Sequence, residues 1–174
     1  MVSVDILGRL GNNLWQIAAA IGYSEKHKVE YQIPAWKYSG CFKVEGTFAI
    51  GDVTYGEKSW NYEELPFIKN VMLMGWFQSY KYFSHCEEKI RDLFQFNEQI
   101  RTKITEKYKT LIPSNSNTCG IHVRRGDYIG SNLYEVCNLE YYNDAISEIK
   151  GMTNIDLFIV FSDDISWCKE NLKG

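Results

Sequence analysis

VSVDILGRLGNNLWQIAAAIGYSEK, residues 2–26, decides the fold class. Val2–Leu7 is a short apolar run and predicts a strand. Gly8-Arg9-Leu10-Gly11-Asn12-Asn13 predicts a turn, and Leu14–Lys26 has the composition of a buried helix. Strand, glycine turn and helix open an α/β unit. Working outward, Val29–Gly56 mixes Tyr, Pro, Gly and β-branched residues and reads as short strands and loops. Asn70–Phe77 predicts a buried strand. Lys89–Phe94 and Asn97–Leu111 predict helices, the second with Ile100, Ile104, Tyr108 and Leu111 on one face.

Pro113-Ser114-Asn115-Ser116-Asn117 reads as a linker, and the pattern restarts after it. Cys119–Val123 predicts a buried strand, Glu140–Lys150 a helix, Asp156–Phe161 a continuous apolar strand, and Ile165–Leu172 another helix. This alternation predicts a parallel, doubly wound sheet and a domain boundary at 113/114. Charge divides at the same place. Residues 1–113 hold 14 Lys/Arg against 13 Asp/Glu, and residues 114–174 hold 5 against 9.

Composition excludes several classes. The 174 residues carry a net charge of −3, the wrong sign for a protein that neutralises a nucleic-acid backbone. The longest apolar stretches, Val71–Phe77 and Leu157–Phe161, fall far short of the ~20 residues that span a bilayer. Peripheral association with a membrane stays compatible with this. The N-terminus lacks a basic n-region and Asp5 interrupts its apolar run, so no signal peptide is expected. Cys41, Cys86, Cys119, Cys137 and Cys168 form no CxxC pair and are odd in number, which predicts a reducing cytoplasm rather than a disulfide framework. His27, His85 and His122 have no metal-ligand spacing, so no metal is expected.

From Thr110 to Ile149 the only Lys or Arg residues are the adjacent Arg124 and Arg125. They follow directly on an apolar strand, in His122-Val123-Arg124-Arg125-Gly126-Asp127-Tyr128. Ligands of doubly wound sheets bind beyond the carboxyl ends of strands, and a guanidinium fork matches phosphate oxygens two at a time. Neighbouring side chains of an extended segment point opposite ways, so one Arg can face a ligand while the other pairs internally, with Asp127 as the expected partner. The competing reading is a solvated Arg–Asp pair closing a strand. A third is an adhesion tripeptide, Arg125-Gly126-Asp127.

The His-x-Arg-Arg-Gly-Asp-Tyr stretch resembles the signature of the α-1,2-fucosyltransferases, glycosyltransferase family 11. Three further blocks agree in order: Gly8–Asn13 is similar to the family's opening Gly-x-x-Gly-Asn-Gln loop, Leu73–Phe83 to its Gly-Tyr-Phe-Gln-Ser-x-x-Tyr-Phe block, and Phe158–Trp167 to its Phe-Ser-Asp-Asp-x-x-Trp block. The resemblance implies an α/β enzyme of GT-B type, with two Rossmann-like domains facing a cleft: residues 1–113 on the acceptor side and 114–174 beginning the nucleotide-sugar domain. It implies transfer of L-fucose from GDP-fucose to the 2-hydroxyl of a galactose-terminated glycan, inverting, without metal or other cofactor. Family members continue beyond the Phe-Ser-Asp-Asp block, so the second domain is expected to be incomplete at Gly174 and turnover weak or absent. The alternative is a catalytically inactive nucleotide- or glycan-binding fragment.

By position, the resemblance assigns Arg124 to the diphosphate, Arg125 and Asp127 to holding the loop, and His122 to the nucleotide's vicinity or beneath it. Asp127, His122 and Glu135 are the candidate general bases. Gly11 and Asn12 would reach the donor from the first domain, since glycine lets backbone N–H groups approach an anion. The plain alternative there is a strand-to-helix turn with an Asn cap. Ser162 and Asp163 are donor-binding candidates for guanine or ribose. A helix N-cap ahead of Ile165 competes for Ser162, Asp163 and Asp164. For Trp76, Phe77, Tyr80, Tyr82 and Phe83, core packing is expected over stacking on an acceptor sugar.

Overall fold

A computed structural model describes residues 1–48 and 51–172. Ala49 and Ile50, within the segment read as strands and loops, and the terminal Lys173 and Gly174 lie outside the described residues. The chain forms two compact units, Met1–Ile104 and Thr105–Gly174.

The first unit holds three parallel strands, β1 (Val2–Val4), β2 (Val53–Gly56) and β3 (Val71–Met74), in the order β1-β3-β2. Val71 and Leu73 of the central strand are buried, as are Val2 and Val4 of β1. Helix α1 (Leu10–His27) packs on β1 and buries Ile17, Ile21 and an alanine run, Ala18–Ala20. Small side chains let it be covered nearly all round. Gly22 lies so close to the carbonyl of Tyr82 that a Cβ there would collide with backbone. A short helix, α2 (Glu87–Leu93), adds Ile90 to the core.

Helix α1 begins at Leu10, inside the segment read as a turn, and neither Asn12 nor Asn13 caps it. Gly8 takes a left-handed φ of 80° and reverses the chain early, and extended Arg9 occupies the cap position. Asn13 instead donates from Nδ2 back to the Leu7 carbonyl at 2.9 Å. Gln16, fully buried, completes the junction. Its Oε1 accepts from the Leu7 N–H at 3.0 Å and its Nε2 donates to the Gly75 carbonyl at 2.9 Å. One side chain thereby ties the loop after β1 to the loop after β3.

Helix α3 (Glu98–Tyr108) runs across the division between the units and buries none of its residues. Its expected apolar face stays largely open: Ile104, Tyr108 and the following Leu111 are exposed. The proline segment belongs to the second unit. Ser116 N donates to the Pro113 carbonyl at 3.0 Å, and Asn117 N donates to Asp156 Oδ2 at 2.8 Å, just ahead of the last strand.

The second unit is a βαβα run: β4 (Thr118–Val123), α4 (Leu139–Met152), β5 (Leu157–Ser162) and α5 (Ile165–Asn171). The strands are parallel and in register from Thr118↔Leu157 to Val123↔Ser162. Asn138 caps α4 by accepting from Tyr141 N at 2.9 Å. Among the described residues this sheet is not doubly wound. Tyr142 of α4 and Cys168 of α5 join one cluster with Val123, against which Ile121 and Val160 pack. Those strand residues share a face, and His122 and Phe161, paired on the opposite face, are exposed. Among the described residues no helix is long and apolar enough to cross a membrane.

Replacing Gln16 with Leu leaves the Leu7 N–H and the Gly75 carbonyl without partners inside the fold. Denaturant unfolding of Gln16→Leu is expected to show a loss of about 2–4 kcal/mol.

Candidate active site

The site is assembled where β4 and β5 end side by side. Val123 pairs with Ser162, so Arg124 and Arg125 leave one strand next to Asp163 and Asp164 leaving the other. Asp163 Oδ1 accepts from the Arg125 backbone N–H at 2.9 Å, and Asp163 Oδ2 lies 3.0 Å from Arg124 Nη1. Arg124 Nη2 also pairs with Asp127, and its guanidinium sits 5.2 Å from the centre of the Tyr128 ring. Tyr128 in turn stacks on Tyr134 at 4.5 Å, nearly parallel. The Arg124 side chain is bracketed by carboxylates yet 28% exposed, so it lies at the surface of the site rather than beneath it.

Arg125 points the other way. Its Nε pairs with Asp164 Oδ2 at 3.1 Å and its guanidinium covers the Trp167 indole at 4.1 Å. The two arginines do engage different partners, although Arg125 itself is not extended (φ −133°, ψ −63°), and the internal partner is Asp164, not Asp127. Asp127 lies in the turn that follows, Gly126–Tyr128, on the side of Arg124. The adhesion reading fails on the same geometry, since Arg125 is clasped between Asp164 and Trp167 and the tripeptide is not free at a loop tip.

The Phe-Ser-Asp-Asp segment divides its work. Asp164 caps α5 by accepting from Trp167 N at 3.1 Å, and Ser162 Oγ accepts from Asp164 N at 2.9 Å. Asp163 is the clasp on the arginine loop. His122 is exposed on β4, not buried beneath the site, and Glu135 is exposed in the segment before α4. Gly126 leaves room for the clasp: a Cβ there would stand 2.5 Å from Asp163 Oδ2, so a larger residue would have to displace that carboxylate. Among the described residues no three His, Cys, Asp or Glu side chains converge as a metal-binding group.

In the first unit the sequence-selected residues lie at the carboxyl end of its own sheet. Gly11 is exposed, with open space where a side chain would project. Asn12 Oδ1 accepts from Gln78 Nε2 at 2.8 Å. In the aromatic block Phe77 and Tyr82 are core residues, Trp76 and Phe83 are half-buried, and Tyr80 is exposed. Glu57 escaped the sequence reading. Its carboxylate accepts from Trp76 N at 2.7 Å and Phe77 N at 3.1 Å, and so holds Phe77 in a left-handed conformation, φ 48°, that a bulky residue rarely adopts. A recess of about 530 Å³ runs along α1 and α2 and is lined by Ala18, Ile90 and Phe94 among others. Its lining is mostly apolar and holds none of the sequence-selected site residues except Gly11, so size does not make it the chemical site.

The hydrogen bond from Arg125 N, and then the charge of Arg124, hold the Asp163 carboxyl below the usual carboxylate range. A group whose folded pKa is depressed stabilises the fold above its unfolded pKa and loses that contribution as pH falls through the folded value. Asp163→Asn is therefore expected to lower the melting temperature at pH 7, and the gap from wild type should narrow as pH falls below the ordinary carboxylate range. Thermal melts across that range measure it.

The glycosyl transferase family 11 profile matches residues 25–174. An α-1,2-colitosyltransferase of Escherichia coli is 33% identical over 58% of this chain and 35% of its own length. The O-antigen biosynthesis glycosyltransferase WbnK of E. coli is 35% identical over 59% of this chain and 36% of its own. Galactoside α-(1,2)-fucosyltransferase 2 of Gorilla gorilla gorilla is 24% identical over 99% of this chain and 56% of its own. The chain thus spans between about a third and just over half of these relatives. Among solved structures, the α-1,6-fucosyltransferase NodZ soaked with GDP-fucose superimposes with a TM-score of 0.63 at 14% identity, covering 97% of this chain and 73% of NodZ, which shows a shared α/β fold. With the profile covering most of its length, including the strand-end arginine motif, this chain belongs to glycosyl transferase family 11.

Proposed function

We propose that this chain carries out, or forms part of a protein that carries out, transfer of L-fucose from GDP-fucose to the 2-hydroxyl of a galactoside, with inversion and without a metal. The observation that carries the reading is the partly exposed Arg124 guanidinium, positioned by Asp163 at the carboxyl ends of two parallel strands within the family match. The reading includes the GT-B organisation, with the first unit on the acceptor side and the second holding the nucleotide sugar.

In the reaction the acceptor oxygen forms a bond to the anomeric carbon. The bond from that carbon to the β-phosphate oxygen breaks, its electron pair goes to the phosphate, and the hydroxyl proton passes to a base. Negative charge grows on the leaving diphosphate, and a fixed cation there stabilises the transition state more than the ground state. Arg124 supplies it by turning from the exposed Asp127 towards the diphosphate while Asp163 keeps its hold. Arg125 positions the loop through Asp164 and Trp167. Gly11 and Asn12 contribute to the donor from the first unit, and Ser162 and Asp163 act as second-unit supports of the donor loop. His122, Asp127 and Glu135 are the bases to test. The five free thiols support a reducing, cytoplasmic setting. The colitosyltransferase relative favours one second donor, a colitose nucleotide, for the same chemistry.

GDP-fucose and GDP are expected to raise the melting temperature of the wild type, and Arg124→Ala to abolish the rise. Asp127→Asn should keep it, because only the competing ion pair is lost. Transfer of radiolabelled fucose to lactose, at high protein concentration, checks turnover. A wild type whose melting temperature ignores both nucleotides refutes the reading. A nucleotide response without transfer identifies the inactive binding fragment.

A further inference from the structure

We infer that the recess walled by Trp60 and Trp76 is the subsite for the acceptor sugar, and that it takes a β-galactoside through the apolar face of its ring. The inference rests on the functional reading above and adds where the acceptor sits in the first unit.

Position comes first. Strands β2 and β3 are parallel and end together, with Gly56 paired to Met74. Glu57–Trp60 and Gly75–Trp76, the segments that follow them, therefore emerge at one carboxyl edge, where open α/β sheets bind ligands. They enclose a recess of about 300 Å³ lined by Glu57, Lys58, Ser59, Trp60, Gly75 and Trp76. That is the lower end of the size range for small-molecule sites. It is also near the β1–α1 loop, since a Cβ on Gly8 would touch the Trp76 ring at 3.0 Å.

The floor is rigid. Glu57 grips Trp76 N and Phe77 N, and Gln16 holds the Gly75 carbonyl. Because both Glu57 oxygens serve the backbone, the carboxylate is a positioning group rather than the sugar's main partner. Trp60 is 82% exposed, so its ring is open to the flat apolar face of a ligand. Galactose offers such a face. Its axial 4-hydroxyl leaves the hydrogens on C3, C4 and C5 together on the other side of the ring, whereas glucose, with an equatorial 4-hydroxyl, is rimmed by hydroxyls. Lys58 Nζ, now 5.7 Å from the Tyr55 ring centre, and the Ser59 hydroxyl provide hydrogen-bond donors at the rim.

The test uses the full chain and ligand-observed saturation-transfer NMR with lactose, methyl β-galactoside and methyl β-glucoside. Wild type is expected to bind both galactosides saturably and the glucoside at least several-fold more weakly. Trp60→Ala should weaken galactoside binding ~10-fold while leaving stabilisation by GDP-fucose unchanged, and Trp60→Phe should recover most of the loss. Trp60 is exposed, so its removal does not threaten the fold. Unaltered galactoside affinity in Trp60→Ala, equal binding of the glucoside, or no saturable galactoside binding by the wild type each overturn the inference. Failure of the wild type to respond to GDP-fucose overturns the underlying functional reading, and is read in a separate experiment.

Discussion

One carboxylate joins the ends of two strands, and the chemistry of the second unit depends on it. Asp163, just past β5, accepts the backbone N–H of Arg125 and pairs with the Arg124 guanidinium, both just past β4. A parallel pair has no hairpin to hold its ends together, so the carboxyl edge would fray without a cross-connection. The carboxylate supplies that connection and sets the direction of the arginines at once. One is drawn to the surface beside Asp127 and Tyr128, the other inward against Asp164 and Trp167. Gly126 leaves space for this carboxylate, since a Cβ there would meet Asp163 Oδ2 at 2.5 Å.

The first unit solves the same problem with neutral and charged side chains in the same role. Gln16 links the loops after β1 and β3, and Glu57 links the loop after β2 to that after β3. All three strand ends are thereby held by buried or half-buried polar groups with their hydrogen bonds satisfied. A site built at such an edge gains fixed geometry without needing rigid loops of its own. The left-handed Phe77 is the local strain that this bracing sustains, of order 1–3 kcal/mol for a non-glycine residue.

Much of the fold was legible because its signals are local. Short apolar stretches marked β1, β3 and β5, the segment Cys119–Val123 marked β4, and the helical stripe of Tyr142, Ala145, Ile146 and Ile149 marked α4. The arginine pair stood out through its isolation in an acidic segment. Less local features were misread. The start of α1 depended on the conformation of Gly8 and on a backward hydrogen bond from Asn13, neither of which is a pattern of hydrophobicity. The stripe on α3 has the right spacing for a packed helix, but spacing cannot say whether a neighbour exists to cover it. Asp127 was the nearest carboxylate in sequence to Arg125, whereas Asp164 is the nearer one in space.

The amino-acid sequence by itself determined the alternation of strand and helix, the placement of two arginines directly after a strand, and the family to which that motif points; the burial expected of that strand is found only at Val123. Periodicity, turn residues and motif spacing are properties of neighbours along the chain, and they act before any distant contact forms. Only the tertiary structure decided which carboxylate meets which guanidinium, that Gln16 and Glu57 brace the edge of the first sheet, and that Trp60 faces the same recess as Trp76. Those pairings join residues far apart in sequence through the register of parallel strands, and register is fixed by packing rather than by the local pattern of any one segment.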